Sequence, residues 1–182
     1  MNNTYLRTRR IILIALFAAL TSLLAYVSIP LPFSPVPITG QTLGVMLAGL
    51  LLSGSDALLS QVVYILLGVF GLPVFSGGSS GIGVLFGPSG GFIIGFLAAA
   101  FFIGKFTGKE TGFKNDIMVL FLGGIVIIYI TGIIQLMLVL DLSLKAAFMT
   151  GALPYLPGGI IKIMAAVAMG NKIKQVGIIK KE

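Results

Sequence analysis

The 182-residue chain contains no cysteine and no histidine. Without cysteine it can form no disulfide, no thiolate metal site and no thiol nucleophile. Without histidine it also lacks the side chain that most often serves as a general base or a metal ligand. The few acidic residues lie mostly at the predicted cytoplasmic edge, so no acid–base pair or metal cluster can be assembled. We therefore expect neither a metal site nor catalytic residues, and we predict that the protein is not an enzyme.

Charge is also scarce, because charged residues make up 9% of the chain and hydrophobic residues 57%. A soluble domain carries about 25% charged residues. A chain this apolar cannot cover its surface with polar groups in water, so we predict an integral membrane protein. The basic N-terminus and the apolar run 11–29 imitate a secretory signal. The run is long and has no small-residue cleavage site, and we interpret it as an uncleaved first transmembrane helix.

Long uncharged stretches cover residues 11–55, 57–104, 117–140 and 146–161. A transmembrane helix needs about 20 residues, so each of the first two stretches is long enough for two helices. We predict an all-α polytopic membrane protein whose residues 1–182 form a single domain of six transmembrane helices. The predicted helices lie at about 10–29, 41–54, 57–71, 91–106, 117–140 and 158–172.

The distribution of positive charge supports six helices. An even number of helices places both termini on one side of the membrane, and ten of the Lys and Arg residues then lie on that side. Lys145 alone lies on the other side, and Lys162 falls within the last helix. The positive-inside rule therefore predicts cytoplasmic termini. The ten residues are Arg7, Arg9, Arg10, Lys105, Lys109, Lys114, Lys172, Lys174, Lys180 and Lys181.

Two uncharged loops, 30–40 and 72–90, then lie on the outer face. The first, PLPFSPVPITG, breaks the helical pattern with prolines, and the second is rich in glycine. Helices two and three are short for a full span, so we expect these loops to dip into the membrane in a re-entrant-like manner.

The glycine-rich loop has no phosphate-binding pattern. It lacks G-x-x-x-x-G-K-[ST], and its glycines do not complete G-x-G-x-x-G. Because apolar side chains run through it, we interpret it as a packed lid or cavity wall and not as a solvated linker. Its candidate ligand contacts are Phe75, Ser76, Gly77, Gly78 and Phe86.

Lys162 is a charged residue deep in a predicted span. A lysine at the centre of a span costs about 2.5–3.5 kcal/mol on insertion scales, and such residues usually face a cavity or a partner. Lys172 is ten residues further on, about 15 Å along a helix, so Lys162 is too deep to reach the inner interface.

An anion site is predicted around this lysine. The sequence Pro157-Gly158-Gly159 is expected to break the chain before the last helix and to leave the N–H groups of Gly159, Ile160 and Ile161 unpaired. A helix N-terminus beside an ammonium group favours an anion. We therefore predict a ligand with a carboxylate or another strong acceptor that enters from outside.

Other polar groups in apolar surroundings are further candidates. Gln41 follows the proline-rich loop and offers an amide to a polar ring, and Tyr129 is placed to cap a pocket from helix five. On helix one, Ala15 and Ala19 form an A-x-x-x-A stripe. Such a stripe serves either internal helix packing or contact with another membrane protein, and the residues alone leave both open.

Four segments resemble the BioY family, the biotin-specific substrate-binding (S) components of energy-coupling factor (ECF) transporters. They are VPITGQTLGVMLAGLLL (36–52), LLGVFGLPVFSGG (66–78), VLFGPSGGFIIGF (84–96) and LPYLPGGIIK (153–162). The resemblance implies a six-helix S-component fold with a substrate pocket near the outer face, under loops 30–40 and 72–90. It also implies high-affinity binding and uptake of biotin across the cytoplasmic membrane of a prokaryote.

The resemblance further implies partners. Family members associate with a transmembrane coupling protein and two cytoplasmic ATPase subunits, which hydrolyse the ATP, so the chain itself is expected to need no cofactor. The A-x-x-x-A face, here Ala15 and Ala19, is the family's docking surface for the coupling protein. The family usually has an acidic residue where Gly159 stands, whereas the lysine is retained as Lys162.

Three alternatives are weighed against biotin uptake. The first is an S component for another small vitamin, which the glycine at position 159 suggests. The second is a small membrane enzyme, which the missing acid–base groups argue against. The third is a structural membrane subunit, which gives no reason for Lys162 or for uncharged loops on one face.

Overall fold

The computed structural model describes residues 3–108 and 112–176. The predicted positive charges at Lys109, Lys180 and Lys181 lie outside these residues. Within them, six long helical stretches follow the order that the sequence analysis predicts. They are α1 (Asn3–Ala25), α2 (Gln41–Leu51), α3 (Gly54–Val69), α5 (Gly90–Phe106), α6 (Phe113–Phe121) joined by one π-helical turn (Leu122–Ile127) to α7 (Ile128–Leu140), and α9 (Leu156–Val176).

Short elements connect the long ones at one end of the bundle. Helix α4 (Gly83–Phe86) lies between α3 and α5, and helix α8 (Leu144–Gly151) precedes α9. Single 3₁₀ turns occur at Ser76–Gly78 and Leu153–Tyr155. Together with the strands described below, these elements lie at the hairpin end of the bundle.

Three helical stretches of the described chain are long and apolar enough to cross a membrane by length and composition: Thr4–Ala25, Phe113–Leu140 and Leu144–Val176. Helices α2, α3 and α5 are apolar but shorter. Helix α2 has only 11 residues, about 16 Å at 1.5 Å per residue. This helix is too short to cross the hydrocarbon by itself. Irregular backbone at membrane depth is tolerated only where it is buried in protein or lines a cavity.

The proline-rich loop is a β-hairpin, which the sequence analysis does not predict. Strand β1 (Ser28–Leu31) pairs antiparallel with β2 (Ser34–Thr39), with Ser28 opposite Thr39. Proline has no N–H group to donate to a neighbouring strand. Both strands of a two-stranded sheet are edge strands, so a proline can lie where its nitrogen faces away from the partner strand. The hairpin brings the end of β2 directly against the start of α2.

Helix α2 occupies the centre of the bundle. It packs against α1, α5 and α9, and nine of its residues, including every residue from Gly44 to Leu51, are buried. A helix that is apolar all round is typical of such a central position. Its first residues, Gln41 and Thr42, lie at the hairpin end of the bundle, directly after β2.

Ion pairs connect helix ends at the opposite side of the bundle. The Arg10 guanidinium on α1 pairs with Asp56 in the first turn of α3. Lys174 Nζ, near the end of α9, lies 3.2 Å from a carboxylate oxygen of the fully buried Asp116 on α6. The charged beginning of α1 and the charged end of α9 thus lie at the end of the bundle away from the hairpin.

Candidate ligand-binding site

A cavity of about 160 Å³ lies at the hairpin end of the bundle, between the hairpin and the long helices. Strand β2, the start of α2, the loop after α3, and helices α4, α5, α7 and α9 contribute to its walls. Aromatic and aliphatic side chains form most of the surface, and hydroxyl groups, one amide and one ammonium group form the rest. The lining residues are Val36, Pro37, Thr39, Gln41, Thr42, Ser76, Ser79, Val84, Ser89, Phe92, Ile93, Phe96, Ile128, Tyr129, Tyr155 and Lys162.

Lys162 is the single charged residue in this lining of the described chain. Its Nζ donates a hydrogen bond of 2.6 Å to the Thr39 carbonyl and one of 2.9 Å to Thr42 Oγ1. An ammonium group has three N–H donors, and no carboxylate within residues 3–108 or 112–176 forms an ion pair with it. One donor is therefore left for an acceptor inside the cavity.

The start of α9 differs from the prediction. Helix α9 begins at Leu156, directly after a 3₁₀ turn, so Pro157, Gly158 and Gly159 form its first turn and do not break the chain. Proline is tolerated in the first turn because the N–H it lacks would have no helical partner. The N–H groups of Ile160 and Ile161 are therefore inside the helical hydrogen-bond pattern, and none of Gly159, Ile160 and Ile161 lines the cavity. The predicted anion site at the N–H groups of these three residues is not a feature of this structure.

Gly159 is buried behind the cavity wall and is not part of the lining. A Cβ atom at this position would lie 3.0 Å from Ile125 Cδ1 and 3.4 Å from the Tyr129 hydroxyl. The glycine therefore leaves room for Tyr129 to lie against α9.

Gln41 and Tyr129 both line the cavity, where the sequence analysis expects them. The Gln41 amide donates to the buried Tyr64 hydroxyl, and its carbonyl oxygen accepts a 2.7 Å hydrogen bond from Thr39 Oγ1. Tyr129 packs edge-on against Phe92, with ring centroids 6.4 Å apart. It is the second residue after the π-helical turn, a feature that often occurs at functional sites.

The glycine-rich loop contributes Ser76 to the cavity. Gly77 and Gly78 follow with φ angles of +64° and +77°, which a residue with a side chain rarely adopts, and they turn the chain around Ser76. Neither glycine lines the cavity, so their predicted contact with a ligand is not a feature of this structure.

The two phenylalanines predicted as ligand contacts lie elsewhere. Phe75 is fully buried below the loop, where its ring packs edge-on against Tyr64 with centroids 5.6 Å apart. Phe86 is 73% exposed and lines a separate groove between α5 and α7. The two side chains differ in direction: Phe75 points into the bundle, and Phe86 points out of it.

The hairpin is attached to the rest of the site by hydroxyl groups. Tyr155 donates a hydrogen bond to the Val36 carbonyl, and its hydroxyl lies 2.7 Å from Ser34 Oγ. On the other side, Ser28 Oγ lies 3.1 Å from Ser76 Oγ, so the hairpin also contacts the glycine-rich loop. These contacts form the outer boundary of the cavity.

Several lining residues were missed by the sequence analysis, and spacing gives a signal for some of them. Tyr155 ends the 3₁₀ turn directly before α9 and Lys162 is seven residues further on, a spacing that would place both on one face of a continuous helix. Phe92 and Phe96 are four residues apart on α5 and also share a face. Thr39 and Thr42 gave no such signal, because their role depends on where Lys162 reaches.

Ala15 and Ala19 lie on the exposed side of α1. Ala18 and Ser22, the parallel small pair, are buried against the bundle. The A-x-x-x-A stripe is thus not used for packing within the described chain.

Comparisons with known proteins agree with this fold. The model of the BioY family matches residues 1–177. "Probable biotin transporter BioY" of Bacillus subtilis is 43% identical over 169 residues, covering 89% of this chain and 88% of the relative. "Biotin transporter BioY" of Rhizobium etli is 35% identical over 175 residues, covering 91% of this chain and 93% of the relative.

A solved structure is also similar, namely the crystal structure of the S-component for biotin from an ECF-type ABC transporter. It superposes with a TM-score of 0.89 at 29% identity, over 96% of this chain and 95% of that one. The predicted S-component fold of a multi-pass membrane protein is therefore confirmed. The family is one of transporter components and not of enzymes, as predicted. The chain belongs to the BioY family.

Proposed function

We propose that this chain binds biotin in the cavity around Lys162 and serves as the S component for its uptake by an ECF-type transporter. The single observation that carries the proposal is a mainly apolar cavity with one cation, in a chain that has the BioY fold. Biotin combines an apolar bicyclic ring with a ureido group and a carboxylate. Either its ureido oxygen or its carboxylate would accept the remaining hydrogen bond of Lys162.

The remaining lining also suits such a ligand. Phe92, Phe96 and Tyr129 offer apolar and aromatic surface to the ring. Gln41, Thr39 and Thr42 surround Lys162 with amide and hydroxyl groups that can both donate and accept. A bound ligand would be enclosed by the hairpin and the glycine-rich loop.

Titration of the purified protein with labelled biotin in detergent tests this proposal. We expect saturable binding with one biotin per chain, and we expect unlabelled biotin to compete while unrelated vitamins do not. Failure with biotin together with thermal stabilisation by another vitamin would support the alternative S component that Gly159 suggests. Absence of any ligand would favour the structural subunit.

We further propose that Ala15 and Ala19 contact the transmembrane coupling protein of an ECF module, and that two cytoplasmic ATPase subunits hydrolyse ATP so that this chain needs no cofactor. The exposure of both alanines on α1 supports this, because small residues allow close helix approach. The charge pattern supports cytoplasmic termini in the cell membrane of a prokaryote.

Replacement of both alanines tests the docking face. In cells that supply the coupling protein and the ATPases, Ala15→Trp with Ala19→Trp is expected to reduce biotin uptake to background, because the large rings keep the helices apart. Binding of biotin to the purified variant should stay at the wild-type level. Ala98→Trp, at an exposed alanine on α5, is the matched control and should leave uptake unchanged. Normal uptake by the double variant would contradict this docking face.

A further inference from the structure

One wall of the cavity is a short segment that is not stable by itself. Residues 83–89 comprise helix α4 and the turn that follows it, and they supply Val84 and Ser89 to the cavity lining. Four helical residues are too few to persist in isolation, because helix nucleation is unfavourable. An outside contact must therefore fix this wall.

Val84 and Leu85 pack against the core, and Gln135 on α7 adds a polar contact. Its Nε2 donates one hydrogen bond of 2.7 Å to the Leu85 carbonyl and another of 2.7 Å to the Gly87 carbonyl. The two N–H donors of one amide group thus bind two backbone carbonyls of segment 83–89.

Among the described residues, the other backbone hydrogen bonds of this segment are local. Val84, Leu85 and Gly87 donate to carbonyls three residues earlier in the chain, and Gly87 also accepts from Gly90. Gln135 lies 48 to 50 residues away in sequence. It therefore supplies the long-range hydrogen bonds that join the segment to a long helix.

Two glycines make room for this contact. A Cβ atom on Gly90 would lie 1.9 Å from the Leu85 carbonyl oxygen and 2.5 Å from Gln135 Nε2. A Cβ atom on Gly91 would lie 2.6 Å from Gln135 Cβ. A larger residue at Gly90 would push against the segment and Gln135, and one at Gly91 would push α5 away from α7.

The surroundings strengthen the two hydrogen bonds. Gln135 lines the groove on the far side of the wall, together with apolar residues that include Phe86, Ile134 and Leu138. Hydrogen bonds in apolar surroundings are electrostatically stronger than in water, and an unpaired carbonyl there is costly. Gln135 itself does not line the ligand cavity.

We propose that Gln135 is a positioning residue that fixes segment 83–89 as a wall of the cavity and thereby sets how long the ligand stays bound. This inference rests on the proposed function for its ligand. It assigns Gln135 no contact with that ligand, and its effect is transmitted through Val84 and Ser89.

Gln135→Met tests the proposal, because methionine has a similar length and no donor. We expect labelled biotin to dissociate from the purified variant about tenfold faster than from the wild type, the effect of losing two hydrogen bonds that hold a wall. Thr131→Val is the matched control. Thr131 lines the same groove one turn earlier on α7, but its hydroxyl bonds only to carbonyls of its own helical stretch within the described chain.

A local readout separates positioning from general stability. The chain has no cysteine, so Gly87→Cys introduces a single thiol into the segment. A Cβ atom at this position meets its nearest neighbour at 3.4 Å, an ordinary contact. We expect a maleimide to alkylate this cysteine about tenfold faster in the Gln135→Met background, with no change in the Thr131→Val background.

The outcomes are distinct. Unchanged alkylation and unchanged biotin dissociation in Gln135→Met would overturn the proposal, as would equal changes in Thr131→Val. Faster alkylation in a protein that does not bind biotin would support the positioning role and contradict the proposed function. Should Gln135→Met not fold, Gln135→Asn, whose amide is one methylene shorter, must show the same changes, and wild-type behaviour in both readouts would overturn the proposal.

Discussion

Lys162→Met is expected to weaken the binding of labelled biotin to the purified protein by about 100-fold. Hydrogen bonds to charged groups contribute about 1.5–3 kcal/mol, and this substitution removes the cation from the cavity lining. It also removes the two hydrogen bonds that Lys162 donates to the Thr39 carbonyl and to Thr42 Oγ1. Methionine preserves the length of the side chain, so the walls of the cavity should remain in place.

Lys145→Met is the matched control for this substitution. Lys145 is exposed on α8 and does not line the cavity, so its replacement should leave the affinity unchanged. Size-exclusion elution and the midpoint of thermal unfolding should show that both variants insert and fold. Wild-type affinity of Lys162→Met would remove Lys162 from the binding site.

Gly68→Ala is expected to destabilise the protein by about 2 kcal/mol, although alanine is the better helix former. A Cβ atom on Gly68 would lie 2.2, 2.4 and 2.5 Å from three ring atoms of Phe75. Phe75 is fully buried and packs against Tyr64, so its ring cannot retreat without moving the loop that contains it. Since Ser76 is the next residue and lines the cavity, biotin binding should weaken as well.

Thermal unfolding in detergent measures this effect, and Gly83→Ala provides the comparison. A Cβ atom on Gly83 would meet nothing within 4 Å, and its φ angle is negative, so this substitution should not lower the midpoint. Equal midpoints for the two variants would show that the Phe75 ring is not held against Gly68.

The helices could be predicted from the sequence because the membrane imposes simple rules. Charge is excluded from the hydrocarbon, so the uncharged stretches locate the long helices. The predicted bounds differ by a few residues from those of α1, α2, α3, α5, the α6–α7 helix and α9, except at the start of α1. The charged beginning of α1 is helical too, since a helix need not end at the membrane surface. These residues before position 10, about two helical turns, cannot be located by hydropathy because they are not part of an apolar run.

The hairpin could not be predicted from the same reasoning. Prolines in the segment 30–40 break a helix, but they do not say what replaces it. The strand pairing of Ser28 with Thr39 depends on how the hairpin fits over Lys162 and Tyr155, which are far away in sequence. Tertiary contacts, and not local propensity, decide this part of the fold.

The lining of the cavity could be predicted best where a polar residue lies in an apolar stretch. Lys162, Gln41 and Tyr129 are polar groups in apolar stretches, and all three line the cavity. Phe75 and Phe86 are apolar residues in an irregular loop, where no helical or strand period gives the direction of a side chain. Their positions, one below the loop and one on the outer groove, follow only from the packing.

A structure of the protein with biotin bound is the most direct test of the central claim that the cavity around Lys162 is a biotin site. We predict that biotin lies between the hairpin and α9, with one of its acceptor oxygens within hydrogen-bond distance of Lys162 Nζ and its ring against Phe92 and Tyr129. Biotin bound outside this cavity, for example in the groove between α5 and α7, would contradict the account.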